Sequence, residues 1–159
     1  MADIIELILA DHARIRRLLA DIEGAPGAAD DANSRAELPD RWETVAALLE
    51  VHADAAEEIG FPALFGRAMS AARDNARATH GDIREAVGET RLYPVGSRSW
   101  RLAVAAARAA AMDHIHDLES GALARFRRDA SAQAREALGH QWMAFVAACV
   151  ADDMSHDPF

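Results

Sequence analysis

The sequence predicts an all-α protein, folded as an up-down-up-down four-helix bundle with an additional C-terminal helix. Of its 159 residues, 38 are alanine, which has the highest helix propensity. No stretch of useful length alternates apolar and polar residues as a half-buried strand would, and apolar residues recur at helical spacing in five stretches. The length suits one core, so we expect a single domain over residues 1–159, with the bundle in about 3–128 and the extra helix in about 131–154.

The first helix is predicted over residues 3–23, with Asp3 as its N-cap and Glu6 completing an Asx version of the capping box. Its apolar face carries Ile8, His12 and Ile15, whereas the arginines at positions 14, 16 and 17 lie mostly off that face and are expected to be solvated. Residues 28–39 are small and polar, which predicts a loop.

The second helix is predicted to start near residues 39–40 and to run to about residue 58 or 59, where Gly60 and Pro62 break or kink it. A third helix is expected over about residues 69–93, followed by a turn at 93–97. Ser97 or Ser99 can cap a fourth helix that runs to about residue 128. The fifth helix covers about residues 131–154, and the last five residues are expected to fray.

One histidine lies on the apolar face of each of the first four helices: His12, His52, His80 and His114. The pattern also repeats. The first and third helices share His-x-x-Ile-Arg, at residues 12–16 and 80–84, and the second and fourth share a glutamate five residues after the histidine. Two helix hairpins in tandem explain this order, and in a bundle their four inward histidines can converge on the axis.

Two interpretations of these histidines compete. Each could be a core residue bonded to a backbone carbonyl or a water. Burying four imidazoles is costly unless each finds a partner, however, and a shared metal ion would satisfy all four together. We therefore expect a present or ancestral metal site.

At these residues the chain resembles the hemerythrin-like (HHE cation-binding) family. The resemblance covers about residues 3–128, most clearly at 3–12 and 49–64, together with His80, Ile83 and Arg84 and with His114 and Glu119. It implies a four-helix bundle that typically holds a non-haem di-iron centre and binds, senses or reacts with oxygen or related species. It also implies that His12, His52, His80 and His114 are metal ligands.

The sequence departs from the family at two glutamates. The family usually has His-x-x-x-Glu on the second and fourth helices, but the +4 positions here are Ala56 and Leu118, with Glu57 and Glu119 one residue later. A residue at +5 on an α-helix mostly faces away from its histidine, so Glu57 or Glu119 could bind the metal only from a π-bulge or a distorted turn. Otherwise they are solvated or salt-bridged carboxylates. Asp117, at +3 from His114, could serve as a replacement ligand.

Three states of the site follow from this departure: one metal held by histidines with Glu119, a di-metal site rebuilt from the +5 carboxylates, or no metal. The leading hypothesis is a hemerythrin-like protein that binds iron, mononuclear or di-iron, and handles O2, peroxide or nitric oxide. The alternative is a metal-depleted bundle whose core pocket binds or transforms an apolar small molecule with its inward histidines. A plainer reading is a helical interaction module.

Composition narrows the remaining classes of function. All 17 basic residues are arginine, which excludes lysine-based catalysis, and the net charge of −9 argues against nucleic acid as a partner. No apolar stretch is long enough to span a membrane, and the N-terminus has no basic leader. We expect a cytoplasmic protein that makes no membrane contact, as a monomer or homodimer.

Overall fold

The computed structural model describes residues 2–24 and 32–155 of the chain. In this part the regular secondary structure is all helical and forms five rods joined by short turns. The first rod is α1, the third is α4 and the fifth is α7, and the second and fourth each join two α-helices through a π-helical segment. The bounds are α1 Ile4–Glu23, α2 Ala32–Ala55, the first π segment Ala56–Gly60, α3 Phe61–Phe65, α4 Ser70–Thr90, α5 Arg98–Asp117, the second π segment Leu118–Leu123, α6 Ala124–Asp129 and α7 Ala132–Ser155.

The first four rods run alternately up and down, as the distribution of their core residues shows. In the first and third rods, the residues before the histidine reach one end of the core and those after it reach the other. The second and fourth rods have the reverse order. The predicted four-helix bundle with an additional helix is therefore confirmed.

Side-chain caps begin three of the helices. Asp3 accepts a hydrogen bond from the backbone N–H of Ile5, and Ser97 accepts one from that of Trp100, so both predicted caps are confirmed. Ser131 caps α7 in the same way.

The second helix starts earlier than the sequence predicts. Residues 28–31 of the predicted loop lie outside the described part of the chain, but Ala32 already belongs to α2, which continues through Pro39. The loop prediction is therefore wrong from residue 32 onwards. Leu38 is buried next to the proline and packs in the same core cluster as Trp42. Apolar anchoring on both sides of Pro39 outweighs the one backbone hydrogen bond that the proline removes.

The expected break at Gly60 and Pro62 takes the form of a π turn. The first π segment ends at Gly60, and Pro62 lies in the first turn of α3. The loosened turn on its N-terminal side accommodates Pro62, whose ring would otherwise collide with a preceding carbonyl and which donates no hydrogen bond. The rod consequently continues past the proline.

The fifth rod packs on one side of the bundle, against α1, α2 and the first π segment. Trp142 is 2 % exposed there. At Gly139, α7 lies so close to the N-terminal segment that an added Cβ atom would be 1.8 Å from the backbone oxygen of Ala2. Along the described residues, none of the helices combines the length and the apolar character needed to cross a bilayer.

We predict opposite effects on stability for two glycine-to-alanine substitutions in helix interiors. At Gly81 an added Cβ meets nothing within 4 Å, so Gly81→Ala raises the free energy of unfolding by about 0.5–1 kcal/mol. Gly139→Ala pushes a methyl group into the backbone of Ala2 and lowers the free energy of unfolding by about 1–3 kcal/mol. Urea unfolding followed by circular dichroism measures both. Equal gains would show that α7 does not pack this closely on the N-terminus.

Candidate metal centre

Four buried imidazoles form one layer across the bundle. His12, His52, His80 and His114 are each no more than 5 % exposed. They lie between two apolar clusters, one around Trp42 and Trp100 and one around Phe61 and Trp142. The structure therefore brings together all four histidines that the sequence selected, one from each rod of the bundle.

Ring nitrogens of three of the four histidines are close enough to share one ion. Ligand nitrogens of His12, His52 and His114 all lie within 4.8 Å of one another. The fourth ring, His80, has its Nε2 atom 3.1 Å from Nε2 of His114. The Nε2 atoms of His12 and His52 are buried and have no hydrogen-bond partner among the described residues. Orphaned buried nitrogens that point into a shared space are what a metal ion would satisfy.

Three of the imidazoles contact a carboxylate through their other nitrogen. Nδ1 of His12 lies 2.9 Å from Oε1 of Glu119, Nδ1 of His80 lies 3.0 Å from Oε1 of Glu57, and Nδ1 of His52 lies 3.2 Å from Oδ2 of Asp11. A carboxylate accepts from an Nδ1–H tautomer and leaves the Nε2 lone pair free. Metal-binding histidines typically have this arrangement, which fixes the ring and raises its basicity.

An arginine completes the network at each glutamate. Arg16 donates two hydrogen bonds to Glu119, at 3.0 and 2.9 Å. Arg84 donates to Glu57 at 2.8 Å and also to Asp54 at 2.7 Å. The repeated His-x-x-Ile-Arg thus supplies a histidine and an arginine one turn apart, and both meet the same glutamate from another rod. Arg16 is exposed, as expected, and in addition pairs with Glu119.

The two π segments position these glutamates. Each segment begins at the residue before the glutamate, at Ala56 and at Leu118. Its i→i+5 hydrogen bonding widens the turn and rotates the following residue relative to an α-helix. Glu57 and Glu119 are turned inward far enough to be only about a quarter exposed, at 25 % and 27 %. A direct metal bond from either glutamate stays a prediction.

Burial keeps three of the imidazoles neutral. Desolvation, together with the neighbouring rings, lowers the pKa of His12 to about 3, of His80 to about 2 and of His114 to about 4. Desolvation alone would raise the pKa of Glu119, but its hydrogen bonds from Arg16 and His12 outweigh that effect, so its pKa lies below the usual value. Neutral rings beside an ionised carboxylate are the protonation states that a metal site needs.

Asp117, the replacement ligand that the sequence suggested, is exposed, as are His116 and His140. The sequence analysis missed the role of Asp11, which directly precedes His12 and contacts His52. Its position on the helix gave a usable signal, because a residue next to an inward histidine lies near the boundary with the adjacent rod.

These observations define a class: an all-α bundle with a buried histidine cluster able to hold a metal ion. The hemerythrin HHE cation binding domain matches residues 3–150 of the sequence. The chain therefore belongs to the hemerythrin HHE cation-binding family. Comparison with curated proteins and with solved structures gives no match.

We predict that the metal-free protein loses stability in mild acid. The pKa of a histidine is near 6.5 in the unfolded chain and far lower at His12, His80 and His114 in the folded one, so the unfolded state binds more protons. Stability is then fully present above pH 6.5 and falls below it, by up to about 1.4 kcal/mol per pH unit for each histidine.

Urea unfolding of the chelator-treated protein between pH 8 and pH 5 measures this loss. The exposed His116 provides a control, since His116→Gln should leave the pH dependence unchanged. A free energy of unfolding that stays constant across this range would contradict burial of neutral rings.

Proposed function

We propose that the protein holds one iron ion on the Nε2 atoms of His12, His52, His80 and His114 and uses it to handle O2 or a related small oxidant. The observation that carries the proposal is the pair of orphaned Nε2 atoms on His12 and His52. These two rings and His114 have ligand nitrogens within 4.8 Å of one another, and Nε2 of His80 lies 3.1 Å from Nε2 of His114. Imidazole suits iron among other transition metals, and the family favours iron.

A single ion fits the donors better than a pair. Two adjacent irons need anionic bridges to offset their repulsion. The residues in the bridging positions, Ala56 and Leu118, carry no charge. The nearest glutamates, Glu57 and Glu119, are engaged by Nδ1 atoms and arginines, and we propose that they orient the imidazoles from outside the coordination sphere.

A small apolar cavity supports a diatomic ligand. A space of about 10 Å³ borders His52, His80 and His114, and its other walls are aliphatic: Ile15, Leu49, Ala53, Ile83, Ala111 and Ile115. That volume is roughly what one water molecule needs, and apolar walls disfavour water in it. A bound iron would supply reversible binding of a small oxidant, while the chain's own residues exclude water and keep His80 and His114 neutral.

Metal content tests the proposal directly. Protein expressed with added iron should contain about one ion per chain. His12→Ala and His52→Ala should lower the metal content at least tenfold, because each removes a donor and leaves a void. His116→Ala, at an exposed site two residues from His114, should bind as the wild type does. Iron near zero in the wild-type protein would contradict the proposal and favour the metal-free alternative.

Conservative variants separate an orienting role from direct ligation for Glu57 and Glu119. Glu119→Gln retains an oxygen that can accept from His12 but loses the charge. Under this proposal the iron affinity falls by about 10–100-fold, as typical for a partner outside the coordination sphere. The number of oxygen ligands seen by X-ray absorption should stay the same. Loss of one oxygen ligand in Glu119→Gln would show that this glutamate binds the metal.

A further inference from the structure

A cleft of about 260 Å³ leads to one edge of the histidine layer, outside the centre described above. One wall is α4, with Ala72, Ala76 and Thr79, and the other is formed by the second π segment and its neighbours, with Leu118 and Ala122. His114 lies in its lining. This volume is just below the range of pockets for drug-sized ligands.

The internal repeat shows what fills the corresponding place on the other side. When His12 is aligned with His80 and His52 with His114, the cleft corresponds to the groove between α1 and the first π segment. There Trp142 of α7 occupies the space, with its ring 5.6 Å from that of His52 and its Cζ3 atom 3.6 Å from where a Cβ of Gly60 would lie. His52 is thus covered by the indole of Trp142, whereas its counterpart His114 borders an open cleft.

Smaller side chains keep the second groove open. Ile4 and Ile8 pack in the same apolar cluster as Trp142, and Ala72 and Ala76 stand at their counterparts in α4. An added Cβ at Gly121, which also lines the cleft, would meet nothing within 4 Å. The cleft is therefore open because its residues are smaller than their counterparts in the repeat. The corresponding groove on the other side accommodates an aromatic ring, that of Trp142.

The polar groups of the cleft also differ from those of the filled groove. Asp11, which contacts Nδ1 of His52, has Thr79 as its counterpart, and the Thr79 hydroxyl donates to the carbonyl of Asn75. Among the described residues no group hydrogen-bonds Nδ1 of His114. Arg125 is half-buried in the cleft lining and has no ion pair with any described side chain. Arg125 therefore lacks an anionic partner among the described residues.

From these observations we propose that the cleft binds a small aromatic carboxylate. The ring occupies the apolar walls as Trp142 does on the other side. The carboxylate pairs with Arg125. Asp117 also lines the cleft, but it is exposed to solvent, which screens its repulsion of an anion. The proposal does not depend on a bound metal.

Benzoate and its neutral isostere benzamide test the cleft by isothermal titration calorimetry on the wild-type chain. Benzoate should bind one site and benzamide should bind at least tenfold more weakly, because only benzoate forms a charge-assisted pair. Arg125→Ala should weaken benzoate binding about tenfold or more and leave benzamide within about threefold. Asp117→Asn should strengthen benzoate binding slightly.

Filling the cleft gives a second test. Ala76→Ile introduces the side chain that Ile8 carries in the other half and should abolish binding of both probes. Ala78→Ile makes the same change at an exposed position outside the cleft lining and should bind benzoate as the wild type does. Circular dichroism melting verifies that each variant is folded.

The outcomes separate this proposal from the metal site if each titration is run on chelator-treated and on iron-loaded protein. Benzoate binding without any iron uptake would reject the proposed function and support the cleft. Iron uptake with no benzoate binding would overturn the cleft. Equal binding of both probes, unaffected by Arg125→Ala, would overturn the carboxylate as the ligand class.

Discussion

The hydrogen bond between a buried imidazole and a carboxylate from another rod is the interaction on which this structure depends. It joins His12 to Glu119 and His80 to Glu57, so it connects the first rod to the fourth and the third to the second. Each contact gives a buried ring nitrogen a hydrogen-bond partner. It also holds the carboxylate within reach of an arginine, which offsets the carboxylate's charge. The apolar clusters above and below the layer could pack in several registers, but these contacts are satisfied in one.

Much of this arrangement could be predicted from the sequence. The four inward histidines, their twofold repeat and the bundle follow from helical periodicity, which is a strong signal over long segments. The glutamates at +5 could be identified as anomalous, and a π turn was the distortion that would bring them inward. Helical geometry was sufficient to suggest a π turn as an alternative to a regular α-helix. Which of the two forms depends on long-range partners of the glutamates, such as Arg16 and Arg84.

What could not be predicted depends on contacts between rods. Arg16 is exposed as expected, but its pairing with Glu119 could not be predicted, because that partner is 103 residues away in sequence. Pro39 suggested a helix start, but tertiary packing of Leu38 and Trp42 overrides a local preference of this kind. The cleft beside His114 was also invisible, since an open space results from which side chains face each other across two rods.

The position of Trp142 in the chain has a consequence for assembly. All four histidines precede α7, so during synthesis from the N-terminus the bundle segments emerge while the final helix is still being made. Until then the groove over His52 lacks its indole cover, and both sides of the histidine layer are open to the surrounding solution. The last helix then covers His52 with its indole, whereas the cleft beside His114 stays open.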